Sequence, residues 1–223
     1  MDPRQQRTTD TLRSVVFALA AEQPIESVTV SEISRRAGIT RATFYNQAAS
    51  PADLLARFLT VELDDVRNHF FALVASDGIA VVDAWSTSEQ ELVAHLIRHA
   101  AIYEAGLSEA GGRHLGPTLR ALLVDHIELS LHHHLRLNPG IVPRDSTATD
   151  DADSPTPDHA SSTDTSALDF EAEMHAAFAA QGLVGALEVW LRSGEARSAE
   201  EASRIILRSM PAWWFSAPPQ RSR

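Results

Sequence analysis

The chain has 223 residues, 44% hydrophobic, 22% charged and 6% aromatic, with no cysteine and a formal charge of −11. That is enough chain for one large domain or a small module with an appendage, and the lack of Cys excludes a disulfide framework, a thiolate metal site and a cysteine nucleophile. The longest unbroken apolar run, Val15 to Ala21, is shorter than a membrane span needs, and no apolar signal core follows the first residues, so a soluble cytoplasmic protein without a membrane partner is expected.

Abundant Ala and few aromatics favour helix over sheet, and apolar residues recur at helical spacing almost throughout, so an all-α fold is expected. The first helix reads from about Thr8 to Glu22, with Leu12, Val15, Val16 and Leu19 on one stripe, and stops before Pro24. Thr29 opens a second, with Glu32 three residues on as a reciprocal capping pair, and Gly38 closes it in the left-handed conformation. Thr40 caps a short third helix through Tyr45. Ser50-Pro51-Ala52-Asp53 then starts a long fourth helix, with Ser as cap, Pro in the first helical position and Asp in the first turn; Leu55, Leu59, Val66 and Phe70 form its inward stripe.

Helices are expected next at about Thr87 to Ala105 and Thr118 to Arg136. Residues 139–167 hold four Pro, ten Ser or Thr and six Asp, with only Ile141 and Val142 as aliphatics larger than Ala. Such a segment cannot bury enough apolar surface to offset its chain entropy, and it reads as a disordered acidic insertion. Two further helices follow, Leu168 to Arg192 and Ser198 to Phe215. Gly182 and Gly185 each cost the first of these up to about 1 kcal/mol relative to Ala, a cost that close approach of a second backbone would offset. The flanking Leu183, Leu187, Trp190 and Leu191, with Ile205, Ile206, Met210 and Trp213 of the last helix, are the expected face for pairing with a second copy.

An acidic total argues against a nucleic-acid partner, but the charge is unevenly placed: residues 1–50 carry six Arg against five acids, net +1, so the remainder carries −12. All 19 basic residues are Arg. Within the first 50 residues, the helix, tight turn and helix of Thr29 to Asn46 form a helix-turn-helix, with Ile33, Ala37, Ile39 and Phe44 as the wedge between its helices. The first turn of the second helix, Thr40-Arg41-Ala42-Thr43, offers a guanidinium for guanine, hydroxyls for base edges or phosphate, and methyls for thymine. Tyr45 and Asn46, one turn on, suit phosphate contacts that set register.

The run Val28-Thr29-Val30-Ser31-Glu32-Ile33-Ser34-Arg35-Arg36-Ala37-Gly38-Ile39-Thr40-Arg41-Ala42-Thr43-Phe44-Tyr45, followed by Ser50-Pro51-Ala52-Asp53-Leu54-Leu55, resembles the DNA-binding domain of TetR-family transcriptional regulators, and Gly182 to Leu191 is similar to a segment near the dimer-forming helices of many members. The resemblance implies an all-helical homodimer: a three-helix DNA-binding head over residues 1–50, and a helical effector-binding and dimerisation domain over 51–223. The dimer would bind a palindromic operator in double-stranded DNA, as a repressor, under control of a small-molecule effector. Carried over by position, Thr40, Arg41, Ala42 and Thr43 face bases, Ser31, Tyr45 and Gln47 touch the DNA backbone, and Arg7 and Thr8 contact flanking phosphates. The chain departs from the family pattern at Asn46, Gln47 and Pro51, where members often carry an aromatic residue, His and a nearby Lys. That departure keeps open an interaction protein of the same fold with little DNA affinity.

The resemblance also implies a ligand pocket, for which the middle helices offer Phe70, Phe71, Trp85, His95, His99, Tyr103 and His126. His95 and His99, four apart with Glu91 a turn before, have a spacing that can hold zinc around which a helical enzyme could be built. No third ligand is fixed by sequence, however, and the expectation is no metal and no cofactor. His132, His133 and His134 fall about 100° apart around a helix and cannot converge on one ion. There is no Gly-x-Ser-x-Gly elbow, phosphate-cradling glycine loop or His-Glu-x-x-His, so no enzyme is expected.

Overall fold

The computed structural model describes residues 3–76, 78–107, 115–137, 160–193 and 197–211. Among them every regular element is helical: α1 (Pro3–Glu22), a 3-10 turn (Ile25–Ser27), α2 (Val30–Ala37), α3 (Arg41–Tyr45), α4 (Pro51–Val74), α5 (Val81–Arg98), α6 (Ala100–Leu107), α7 (Leu115–Leu137), α8 (Ala160–Arg192) and α9 (Ala199–Ser209).

Local chemistry sets the boundaries in the first third of the chain. Thr29, Thr40 and Ser50 each accept the backbone N–H three residues on, at 3.1–3.2 Å, and so cap α2, α3 and α4. The Glu32 carboxylate takes the Arg36 guanidinium at 3.3 Å, and Arg36 also bridges to Glu22 of α1 at 3.1 Å. Gly38 closes α2 at φ 66°, and the Ile39 N–H reaches back to the Ser34 carbonyl at 3.0 Å, a Schellman closure. The wedge forms as expected, with Ile33 and Phe44 fully buried and Ala37 and Ile39 packed at its edge. The boundary expected after residue 50 does not separate two cores. Leu54, Leu55 and Phe58 of α4 are buried in the same core as Leu12, Val16 and Leu19 of α1.

Beyond the head, α4 packs on α5 and α7, while α7 lies against α8 over the most extensive helix pairing among the described residues. The α6–α7 approach depends on glycine: a Cβ on Gly116 would come within 2.6 Å of the Gly106 carbonyl oxygen. One face of α8, including Ala172, Ala176, Ala180, Val184, Leu187 and Leu191, is buried in the chain's own core. Asp169–Arg192 within α8 is long and apolar enough to cross a membrane by length and composition, a property that counting only unbroken apolar runs overlooks.

Several expectations need correction. α5 begins at Val81 rather than Thr87, and the helix expected through Ala105 breaks at His99 (φ −111°, ψ 24°), where the chain turns and the imidazole is buried against α1. Of the segment read as disordered, 139–159 lies outside the described residues, but 160–167 is helical. Once a long helix is nucleated, each further residue adds a hydrogen bond at little cost, and Ala160 and Ala167 are strong helix formers. α9 ends at Ser209 rather than Phe215, because Pro211 forces Met210 into an extended conformation. Leu187 and Leu191, expected to meet a second copy, are core residues, and Leu183 and Trp190 pack at the core's edge. Of the residues expected on the last helix, Ile206 and Met210 also pack against the core while Ile205 is exposed; Trp213 lies outside the described residues.

Candidate DNA-contacting surface and the polar cluster behind it

The cap and wedge together decide what α3 presents. With Phe44 turned fully inward, Thr40, Arg41, Ala42, Tyr45 and Asn46 are exposed and Thr43 and Gln47 half-buried. The Thr40 and Thr43 hydroxyls are 2.9 Å apart. The Arg41 guanidinium hydrogen-bonds the Ser31 hydroxyl on α2, so two residues ten apart in sequence sit on one surface. Tyr45 stands edge-on to Phe44, ring centroids 5.6 Å apart, which orients its exposed ring. Arg7 is exposed and Thr8 half-buried, one helix away on α1.

Sequence reading missed Arg57. Its guanidinium, on α4, donates to the Gln47 carbonyl at 2.7 Å and reaches the Gln47 side chain at 3.4 Å. It brings a cation to the end of α3, where the family pattern expected one further toward the start of α4. The only sequence signal is a lone Arg two turns into α4, indistinguishable from a solvated charge.

The seven residues expected to form one pocket divide between two places. Phe70 and Trp85 pack with ring centroids 4.9 Å apart, and Phe71 meets His133 at 4.0 Å. Trp85 and His126 line a cavity of about 90 Å³ between α5, α7, α8 and α9, whose other walls include Glu89, Leu92, Leu183, Leu187, Ile206 and Met210. One polar atom on each of three of these lining residues, Trp85 Nε1, Glu89 Oε1 and His126 Nδ1, is buried with no hydrogen-bond partner among the described residues. Burial, with Arg67 and His95 nearby, presses the His126 imidazole down to about 4.

His95, His99 and Tyr103 gather instead around Glu62, a residue the sequence did not single out. Glu62 Oε2 accepts from His99 Nε2 at 2.8 Å and His95 Nδ1 at 3.2 Å, and Arg98 lies 3.5 Å from the same oxygen. Arg13 of α1 lies 3.8 Å from Oε1. Tyr103, fully buried, meets the other His95 nitrogen, Nε2, at 2.9 Å. Burial raises the Glu62 carboxyl, but the His99 hydrogen bond and the nearby charges of His99, His95 and Arg13 outweigh it and hold the group below the ordinary carboxylate range. Burial and the neighbouring His99 press His95 down to about 4, against the pull of Glu62. Burial, with Glu62 adding to it, raises Tyr103. Neutral His95 therefore donates Nδ1–H to Glu62 and accepts the Tyr103 hydroxyl at Nε2. Glu91, weighed from the sequence as the third metal ligand, instead bonds His69 at 2.7 Å.

Residues 14–58 match the model of the tetR family of bacterial regulatory proteins. No curated protein is matched over the sequence. Among solved structures the chain is similar to the dihydroxyacetone kinase operon activator DhaS, at 14% identity and a TM-score of 0.54, with 90% of each chain covered; at that identity the likeness speaks for the fold. The matched segment holds the capped, Gly38-closed helix-turn-helix and the α4 turns that pack beneath it, so residues 14–58 form a head of the tetR-family type, while the helices beyond share their fold with that solved structure.

Proposed function

We propose that this protein binds a palindromic operator in double-stranded DNA as a homodimer, acts as a repressor, and releases or gains DNA on binding a small-molecule effector. In this reading residues 1–50 act as the head, residues 51–223 as the effector and dimerisation unit, and the protein works in the cytoplasm without a membrane partner or catalysis. The observation that carries it is the exposed first turn of α3: Thr40, Arg41 and Ala42 outward over a fully buried Phe44, with Ser31 bonded to Arg41. Thr40, Arg41, Ala42 and Thr43 take the base edges, while Ser31, Tyr45, Asn46, Gln47, Arg7 and Thr8 take the backbone. Arg57, beside Gln47, supplies phosphate charge in place of the missing Lys.

Homodimerisation is supported by a different face of α8 from the one the sequence suggested. Phe170, Met174, Phe178 and Val189 are exposed large apolar residues, and with Gln181 and Gly185 they fall within an arc of about 100° on one helix. A Cβ on Gly185 would meet nothing within 4 Å in this chain, so a second backbone can approach there. Effector binding is supported by the cavity of about 90 Å³, whose almost wholly apolar lining suits an apolar molecule. Its walls come from α5, α7, α8 and α9, so an occupant that binds one packing of these helices better than another shifts the balance between them.

The charge of −11 favours a second reading, an interaction protein of the same fold with little DNA affinity. Duplex binding titrated against salt separates the two. A DNA-binding head loses affinity steeply as salt rises and is weakened by Arg41→Ala; binding to no duplex at any salt concentration favours the interaction protein. A reporter placed behind the bound site gives the sign of regulation.

A further inference from the structure

We infer that Glu62, His95 and His99 form a binding site for a first-row divalent metal ion of the zinc class, with a fourth position open to the cleft beside them. One donor atom from each of Glu62, His95 and His99 lies within 4.8 Å of the other two, with Glu62 Oε2 beside His95 Nδ1 and His99 Nε2, and both histidines are buried. Ligands at about 2.0–2.2 Å from a tetrahedral zinc stand about 3.3 Å apart. The carboxylate-to-imidazole separations of 2.8 and 3.2 Å are already close to that value. Two neutral imidazoles and one carboxylate are the donor set such ions favour over Mg²⁺ or Ca²⁺.

The surroundings match what a metal site needs beyond its ligands. Histidine ligands of metals donate their other ring N–H to an oxygen that fixes the tautomer. Here Tyr103 Oη sits 2.9 Å from His95 Nε2 and is fully buried. When the ion takes Nδ1, the proton resides on Nε2 and is donated to Tyr103; His99 Nε2, which now donates to Glu62, gives up its hydrogen and the ring carries its proton on Nδ1. The cleft of about 350 Å³ lined by Glu62, Asp65, His69, Glu91, His95 and Arg98 supplies an entry path, a water for the fourth position, and acidic walls that attract a dication. Arg98 is 63% exposed and its guanidinium can swing into solvent as the ion enters.

The ion would sit where three helices meet: Glu62 on α4, His95 on α5, and α1 through Arg13 beside Glu62 and Phe17 stacked on His99 at 4.5 Å. It would replace two hydrogen bonds across the α4–α5 contact with coordination bonds.

The test uses the full-length protein stripped with chelator and titrated with Co²⁺, then Zn²⁺. One equivalent of Co²⁺ should produce the visible d–d absorption of a four- or five-coordinate nitrogen and oxygen site, and Zn²⁺ should displace it. Glu62→Gln and His99→Gln, verified as folded by helical circular dichroism, should each weaken binding more than about tenfold, and Tyr103→Phe about tenfold as an outer partner. His69→Gln, two turns further along α4 from Glu62 and bonded to Glu91, should bind as wild type. Absence of a stoichiometric Co²⁺ band in the wild-type protein, or binding that survives Glu62→Gln and His99→Gln but is lost in His69→Gln, overturns the assignment.

Discussion

Replacing Phe178 with Asp tests the proposed dimer face through a quantity the structure fixes. Phe178 is 83% exposed in the single chain. An aromatic side chain offers roughly 200 Å², so about 165 Å² of Phe178 is available to a partner. At about 25 cal/mol/Å² its burial contributes about 4 kcal/mol per protomer, and two-fold symmetry counts the residue twice. Ordering and desolvation costs of association reduce the net effect, yet even half of the total weakens dimerisation about a thousandfold. Burying a charged carboxylate in an apolar interface adds a further penalty. Sedimentation equilibrium at micromolar concentration should find wild type dimeric and Phe178→Asp monomeric, with unchanged helical content. A Phe178→Asp protein that dimerises with the wild-type Kd would refute the assignment of this stripe.

Arg41→Ala should cost about 1–3 kcal/mol in operator affinity and relax preference at one base position, whereas Arg57→Gln should weaken binding evenly across sequences and lower the salt slope by about one; competition binding on single-position operator variants distinguishes them. Phe44→Ala removes the fully buried centre of the helix-turn-helix wedge and should cost about 3–5 kcal/mol, read as a lowered unfolding midpoint with loss of DNA binding. The His126 pKa falls from 6.5 to about 4 on folding, so the unfolded chain binds the extra proton first as pH drops. Stability is therefore full above pH 6.5 and declines between 6.5 and 4, by up to about 3 kcal/mol from this residue. Urea midpoints measured across that window should fall less steeply in His126→Gln, and an unchanged slope would contradict the burial of this group.

The head was legible because each of its signals acts over a few residues. Thr29, Thr40 and Ser50 cap three residues ahead, Gly38 supplies one left-handed residue, and Ile33 and Phe44 close the wedge across a single turn. The larger half depends on contacts that sequence does not index. Glu62 finds its partners 33 and 37 residues away, so in the run Glu62-Leu63-Asp64-Asp65 it reads as one more solvated acid. On α8 both candidate faces are apolar, and only the landing of α7 decides that Leu187 and Leu191 turn inward while Phe170 and Phe178 stay out. Pro211 carries a local stop signal that the apolar spacing running on to Trp213 and Trp214 obscures in the sequence. The His95–His99 spacing was visible, whereas its third donor required the fold of α4 against α5.

Selection of bound duplexes from a random pool, using the full-length protein, tests the central claim most directly. The account predicts enrichment of a two-fold symmetric site whose half-sites lie about one helical turn apart, with the enriched sequence changed or lost in Arg41→Ala. Recovery of no preferred sequence, or of an asymmetric one that Arg41→Ala leaves untouched, would contradict it.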